Sequence, residues 1–299
     1  MDQLESDKLQ QRDFSQAEVG DPVRRRDIPK SLFFGLGLKK QKMDTIILIL
    51  IILLGLALGS FANVCIYRIP QRKSLLFPGS FCPQCGAKIR FYDNIPILSY
   101  IILMGKCREC KARISIQYPL VEFLTALLLT LTYLRFGLTW EFAARGILVI
   151  LMVLTFFIDL KHRIIPDFLT FPGIVLGFAL SFVVKSPSVL NSLLGIVLGG
   201  AMFYLAAILG ELLFKKESMG GGDIKLAMLL GAFLGWKNIL LVLFLSAFLG
   251  SLIGSIAMLF SKDVKETRTI PFGPFLALAA VIAMFVGDAV ISAYLKTFF

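Results

Sequence analysis

The sequence predicts an all-α fold: a polytopic helical integral membrane protein of about eight transmembrane helices, with one cysteine-bearing cytoplasmic knuckle loop. Three observations carry this. Of the 299 residues, 57% are hydrophobic and 17% charged, with a mean hydropathy of +0.80, which excludes an ordinary soluble domain. The apolar residues fall into separate runs near the ~20 residues that a hydrocarbon core of about 30 Å requires. Lys and Arg gather in alternate loops, as they do where every second loop faces the cytoplasm.

In chain order, residues 1–41 are polar and of mixed charge, with the basic cluster Arg24–Arg25–Arg26, and are expected to be a mostly disordered extension. Within them, residues 32–38 are apolar but too few to do more than touch a bilayer surface. Spans are expected at Thr45–Ile66, Ile116–Leu134, Trp140–Ile158, Ile164–Val184, Val189–Phe214, Ile224–Trp236, Ile239–Phe260 and Phe272–Leu295. The first has no small-residue cleavage pattern behind it and reads as a retained span. Ile224–Trp236 is short and should extend into its flanks. Asn94–Met104 is apolar but too short to cross, and reads as an interfacial or re-entrant piece. The expected division is an extension over 1–43, a first transmembrane helix over 44–66, a loop over 67–114 and a transmembrane core over 115–299.

A net charge of +11 is, in such a chain, a topology signal and an attraction to the lipid bilayer, and nucleic acid is not expected as a partner. The segment Arg68–Arg113 carries nine Lys/Arg against two acids, and Lys161, Arg163, Lys215, Lys216, Lys262, Lys265 and Arg268 fall in three later loops. With eight spans all four loops share one side, which positive-inside logic makes cytoplasmic. Lys39, Lys40 and Lys42 would then lie outside, a conflict that a start at Met43 removes.

The loop holds Cys82–Pro83–Gln84–Cys85 and Cys107–Arg108–Glu109–Cys110, two CxxC knuckles with 21 residues between them. Each presents two thiolates to one tetrahedral ion, and a cytoplasmic loop disfavours disulfides, so Cys82, Cys85, Cys107 and Cys110 are expected to bind a structural zinc ion. Lys88, Arg90, Lys106, Arg108 and Lys111 would offset the thiolate charge. Cys65 reads as a small buried residue. With a single histidine, His162, nucleophile systems built on Ser-His-Asp or Cys-His are not expected.

Two carboxylates stand out. Asp223 follows Gly220–Gly221–Gly222 and opens an apolar run, and Asp159 ends another. The glycines are expected to allow positive φ and close backbone approach. Acids at membrane depth face protein or water and mark functional sites, and two of them can share a proton and activate water. Asp223 at a helix N-terminus is favoured as the ionised member, and Asp159 at a C-terminus as the proton holder. Asp167 competes with Asp159, but Pro166–Asp167 is also helix-start chemistry. Lys225 reads as snorkelling, and Glu122 as either a paired interior acid or an interfacial charge.

Read together, Gly59–Ser60–Phe61–Ala62–Asn63–Val64–Cys65–Ile66–Tyr67–Arg68–Ile69–Pro70, the paired CxxC loop with Tyr118–Pro119–Leu120–Val121–Glu122, Asp159 through Asp167, Gly220–Gly221–Gly222–Asp223 with Lys225, and Ile270–Pro271–Phe272–Gly273–Pro274 resemble the type IV prepilin peptidases, also called prepilin leader peptidases/N-methyltransferases. The resemblance implies an aspartyl protease of the bacterial inner membrane whose pair is Asp159 and Asp223. It further implies cleavage of the basic leader of prepilins and pseudopilins after Gly on the cytoplasmic side, then N-methylation with S-adenosylmethionine. By resemblance the 68–113 loop belongs to the methyltransferase, though no GxGxxG unit marks a cofactor pocket. A peptidase without methyltransferase activity and a proton- or cation-coupled transporter are the alternatives.

Overall fold

The computed structural model describes residues 30–215, 220–260 and 271–298, with side chains from Asp44 onward except at the last residues of three helices. The chain divides into two units, Met1–Ile47 and Leu48–Phe299, of which the second holds the helix bundle and the knuckle loop. The long helices are α1 (Lys30–Arg68), α3 (Gln117–Phe136), α4 (Trp140–His162), α6 (Val189–Phe214), α7 (Gly221–Phe260) and α8 (Gly273–Phe298). Between them lie the short α2 (Leu98–Ile102) and the apolar α5 (Asp167–Leu180). Among the described residues there is no β-strand, only the isolated bridges Phe81 with Lys88 and Lys106 with Arg113.

Local chemistry sets the ends. Thr139 caps α4 by accepting from the Phe142 N–H at 3.3 Å, and Ser188 does the same for α6 from Asn191. At the other ends, Arg163 and Lys215 take left-handed conformations that close α4 and α6. α1 already runs as helix from Lys30, where the sequence leads one to expect disorder up to residue 43. Extending an existing helix needs no new nucleus, which is why a weak sequence can continue it. The readings for residues 1–29, Lys216 and residues 261–270 fall outside the described residues, as do the side chains of 32–42.

Among the described residues six helices are long and apolar enough to cross a bilayer, which makes this a multi-pass membrane protein. The expected count of eight spans is not confirmed, because the segment read as the Ile164–Val184 span holds a shorter helix. α5 has 14 residues and reaches only about 21 Å. The expected sixth and seventh spans form one run of helix, α7, divided into two arms at Gly235, whose φ of 79° and ψ of 171° are non-helical. α7 folds back there. A methyl group placed on Gly199 of α6 would lie 2.6 Å from the Ala227 carbonyl oxygen and 3.2 Å from Ile239 Cγ1. In a straight helix residues 227 and 239 stand about 18 Å apart, so the two arms run back along each other.

Such a break frees carbonyls that no water can satisfy inside a bilayer. Three side chains take them. Ser192 Oγ donates to the Ala232 carbonyl at 2.8 Å, Arg145 Nη1 to Phe233 at 2.8 Å, and Asn238 Nδ2 to Leu234 at 3.3 Å. Arg145 also donates to Ser186 at 3.1 Å, and Asn238 to Asp288 at 2.9 Å. α6 seals the hairpin, because Gly195 and Gly231 let the two backbones meet with no room for a side chain. Arg145→Met should keep the apolar volume but orphan the Phe233 carbonyl, costing about 1–3 kcal/mol. The expected result is a lower midpoint of thermal unfolding in detergent, and an unchanged midpoint would remove Arg145 from this role.

The buried core runs through the middle of the bundle, from Val149, Met152 and Ile158 on α4 to Leu226, Leu229 and Leu230 on α7 and Leu276 and Ala280 on α8. It delivers the ends of α4, α7 and α8 to one place.

Candidate active site

α4 carries Asp159 in its last turn, α7 carries Asp223 in its first, and α8 begins at Gly273. Asp159 is only 5% exposed, and its Oδ2 accepts the Gly273 N–H at 2.9 Å. Ile165, in the turn between α4 and α5, ties the three together. A methyl group on Gly222 would lie 3.0 Å from Ile165 Cβ, and one on Gly273 3.2 Å from Ile165 Cδ1. The helix ends that carry the two carboxylates therefore border one side chain, Ile165.

Two expectations are corrected here. Asp159 ends its own helix, but its carboxylate rests on the N-terminus of α8, so both acids face positive helix ends. The dipoles therefore do not distinguish the two acids. Nor do Gly220, Gly221 and Gly222 take positive φ. Only Gly222 is pressed closely, against Ile165, while nothing stands within 4 Å of a methyl group on Gly221.

Asp167 does open α5. Its exposed carboxylate accepts from Lys225 Nζ at 2.6 Å, and that ammonium also lies 5.1 Å from the centre of the Phe171 ring. Lys225 is thus paired instead of merely snorkelling, and Asp167 is neutralised away from Asp159. Glu122 proves to be an interior acid. It is buried and accepts the Ile97 N–H at 2.8 Å.

The four cysteines converge, with all their sulfurs within 4.8 Å of one another and Cys82 to Cys110 at 3.9 Å. Tetrahedral thiolates at about 2.3 Å from one ion would stand roughly 3.8 Å apart, so the set can hold a metal ion. The knuckles are built alike. The Cys82 and Cys107 N–H groups donate to Ala87 and Ala112, and the Gly86 and Lys111 N–H groups return to the Cys82 and Cys107 carbonyls. The Cys85 backbone N–H pulls the Cys82 thiol down to about 7, while at Cys85 desolvation and the neighbouring cysteines outweigh the Ala87 N–H and push the thiol up to about 11. Arg108 and Arg90, expected to offset thiolate charge, are engaged elsewhere. Arg108 makes a two-bond fork to Asp93 at 2.8 and 2.5 Å, which holds that carboxyl below its ordinary range. Arg90 reaches Tyr92 Oη at 2.6 Å and Glu109 at 3.9 Å. Cys65 is buried, as expected.

Sequence reasoning missed the Gly273 N–H, whose only signal is the Pro–Phe–Gly–Pro run ahead of α8, and Asn63, buried on α1 within the Gly59–Pro70 segment.

Residues 53–136 match the bacterial peptidase A24 N-terminal domain, and residues 146–255 match the type IV leader peptidase family. A prepilin leader peptidase/N-methyltransferase of Pseudomonas aeruginosa is 37% identical over 82% of this chain and 92% of its own. Proteins of the same name are 35% identical in Aeromonas salmonicida, over 83% and 94%, and 36% identical in Legionella pneumophila, over 81% and 92%. No solved structure matches the chain. With both halves matched and the cysteine cluster and carboxylate pair each falling in one of them, the chain belongs to the prepilin leader peptidase/N-methyltransferase family.

Proposed function

We propose that this protein removes the basic leader from type IV prepilins and pseudopilins after Gly, at the cytoplasmic face of the bacterial inner membrane, and then N-methylates the new N-terminal residue. One observation carries the peptidase half: the last turn of α4 with Asp159 and the first turn of α7 with Asp223 both border Ile165. In the proposed reaction one carboxylate takes a proton from water, which attacks the scissile carbonyl, while the other, protonated, donates to the carbonyl oxygen. The roles reverse as the leaving amine is protonated. The Gly273 N–H holds Asp159 in register throughout. Both acids lie in terminal turns of helices, where substrate backbone can leave its helix and water can enter.

S-adenosylmethionine, when bound, supplies the methyl group: the free amine's lone pair forms the N–C bond, the S–C bond breaks with its electrons left on sulfur, and the amine proton passes to water. An α-amino group near pKa ~8 offers enough free base at neutral pH for this. For the metal, four soft thiolates in tetrahedral spacing favour zinc. With no open ligand position it would clasp the 68–113 loop and take no part in the chemistry. The division into a knuckle loop and a transmembrane peptidase core is proposed on the same grounds.

The test is to incubate purified enzyme with a prepilin, with and without S-adenosylmethionine, and to weigh the products. Leader loss in both reactions and a methyl increment only with the donor is the expected result. An intact prepilin in both rejects the peptidase half, and cleavage without a methyl increment rejects the other. For the metal, wild-type enzyme should carry stoichiometric zinc. Cys85→Ser or Cys110→Ser should lose it and open the 68–113 loop to limited proteolysis. Protein that is zinc-free as purified and indifferent to chelators refutes the assignment.

A further inference from the structure

The two segments that the carboxylate pair leaves unused, Gly59–Pro70 and Tyr118–Glu122, line one cavity. It measures about 480 Å³ and lies between the knuckle loop and the adjoining ends of α1 and α3. That is within the ~300–1,000 Å³ of small-molecule sites. Ser60, Asn63 and Tyr67 reach it from one face of α1, at i, i+3 and i+7.

Its polar groups are unevenly satisfied. Asn63 is 5% exposed. Its Nδ2 donates to the Tyr118 carbonyl at 3.0 Å, but its Oδ1 is buried without a partner. Such an acceptor costs free energy unless a donor arrives. Glu122 accepts the Ile97 N–H and, among the described residues, has no ion-pair partner. Arg68, Arg90 and Arg108 also line the cavity, but the first donates to the carbonyls of Ser74, Leu75, Pro78 and Gly79, and the others hold Glu109 and Asp93. Lys88, Arg113 and Lys161 complete the wall. The cavity thus offers a buried carboxylate, an orphan acceptor, tyrosine rings and basic groups to the same occupant. This suits a zwitterion of moderate size with a cationic centre, an N–H donor, a flat ring and a carboxylate.

We propose that this cavity binds S-adenosylmethionine, with Glu122 as the anionic wall for its cationic part, Asn63 Oδ1 as an N–H acceptor, and the basic wall facing its carboxylate. The assignment rests on the methyltransferase reading. Lys161, in the last turn of α4, belongs to the wall as well.

The experiment uses full-length enzyme in lipid nanodiscs and S-adenosylhomocysteine as the calorimetric probe. Asn63→Leu, Glu122→Gln and the cavity-filling Ser60→Phe should each raise its Kd about tenfold or more while leader removal persists. In wild-type enzyme, ultraviolet labelling with methyl-tritiated S-adenosylmethionine should mark peptides within residues 60–122. Wild-type affinity in Asn63→Leu and Ser60→Phe, or label confined to other peptides, overturns the site while leaving the methyltransferase reading intact. If the variants lose leader removal as well, the labelled peptides of the wild type decide. Wild-type enzyme that neither binds the probe nor methylates ends both readings together.

Discussion

Leader removal should fall by at least about 10²–10⁴-fold in Asp159→Asn and in Asp223→Asn, because an amide keeps the shape and hydrogen bonding of each acid but cannot share or accept the proton. Neither variant then holds a pair able both to activate water and to protonate the leaving amine. The two activities should separate. Methyl transfer to an amine that is already free requires no activated water, so a pre-cleaved pilin should still be methylated by both variants. That product also reports that they are folded. Asp167→Asn removes only the exposed ion pair with Lys225, worth about 0–1 kcal/mol, and should retain substantial cleavage. Product masses for the three variants side by side decide the matter. A dead Asp167→Asn with an active Asp159→Asn would transfer the role to Asp167, and cleavage surviving in Asp223→Asn would end the aspartyl mechanism.

The residues that could be read from sequence are those whose chemistry is local. Two CxxC knuckles announce a metal site because each needs only its own four residues, and the sulfurs do converge. Asp223 and Asp159 are conspicuous because acids are costly at the ends of apolar runs. What stayed hidden depends on partners far apart in the chain. The Gly273 N–H meets Asp159 across 114 positions, and a backbone donor leaves no side-chain signature. Arg145 looks like a stray charge inside a span until Gly235 breaks α7 and leaves the Phe233 carbonyl to be satisfied, 88 residues away. The same break falls at the boundary between the expected sixth and seventh spans, where hydropathy registers the apolar content of both arms but not the packing that turns one back on the other. Helix dipoles mislead for a related reason: sequence places Asp159 by the helix that carries it, whereas its carboxylate answers to α8.

Gly273→Ala is the sharpest test of that geometry. The new methyl would fall 2.6 Å from Asp159 Oδ2 and 3.1 Å from its Cγ, with Ile165 Cδ1 closing the other side at 3.2 Å. Asp159 would have to swing away from the Gly273 N–H, and with it from its alignment with Asp223. A displacement of about 1 Å at a reacting group costs on the order of 10²-fold in rate, so kcat for leader removal should drop by about that factor with KM little changed. This hydrogen bond is internal to the enzyme, which is why substrate binding should survive. Gly221→Ala is the matched control, because its methyl would enter open space and cleavage should stay near the wild-type rate. Methylation of a pre-cleaved pilin by both variants excludes unfolding as the cause. Should Gly273→Ala cleave as fast as Gly221→Ala, the hydrogen bond to Asp159 has no part in positioning the pair, and the register of α8 against α4 would be a matter of packing alone.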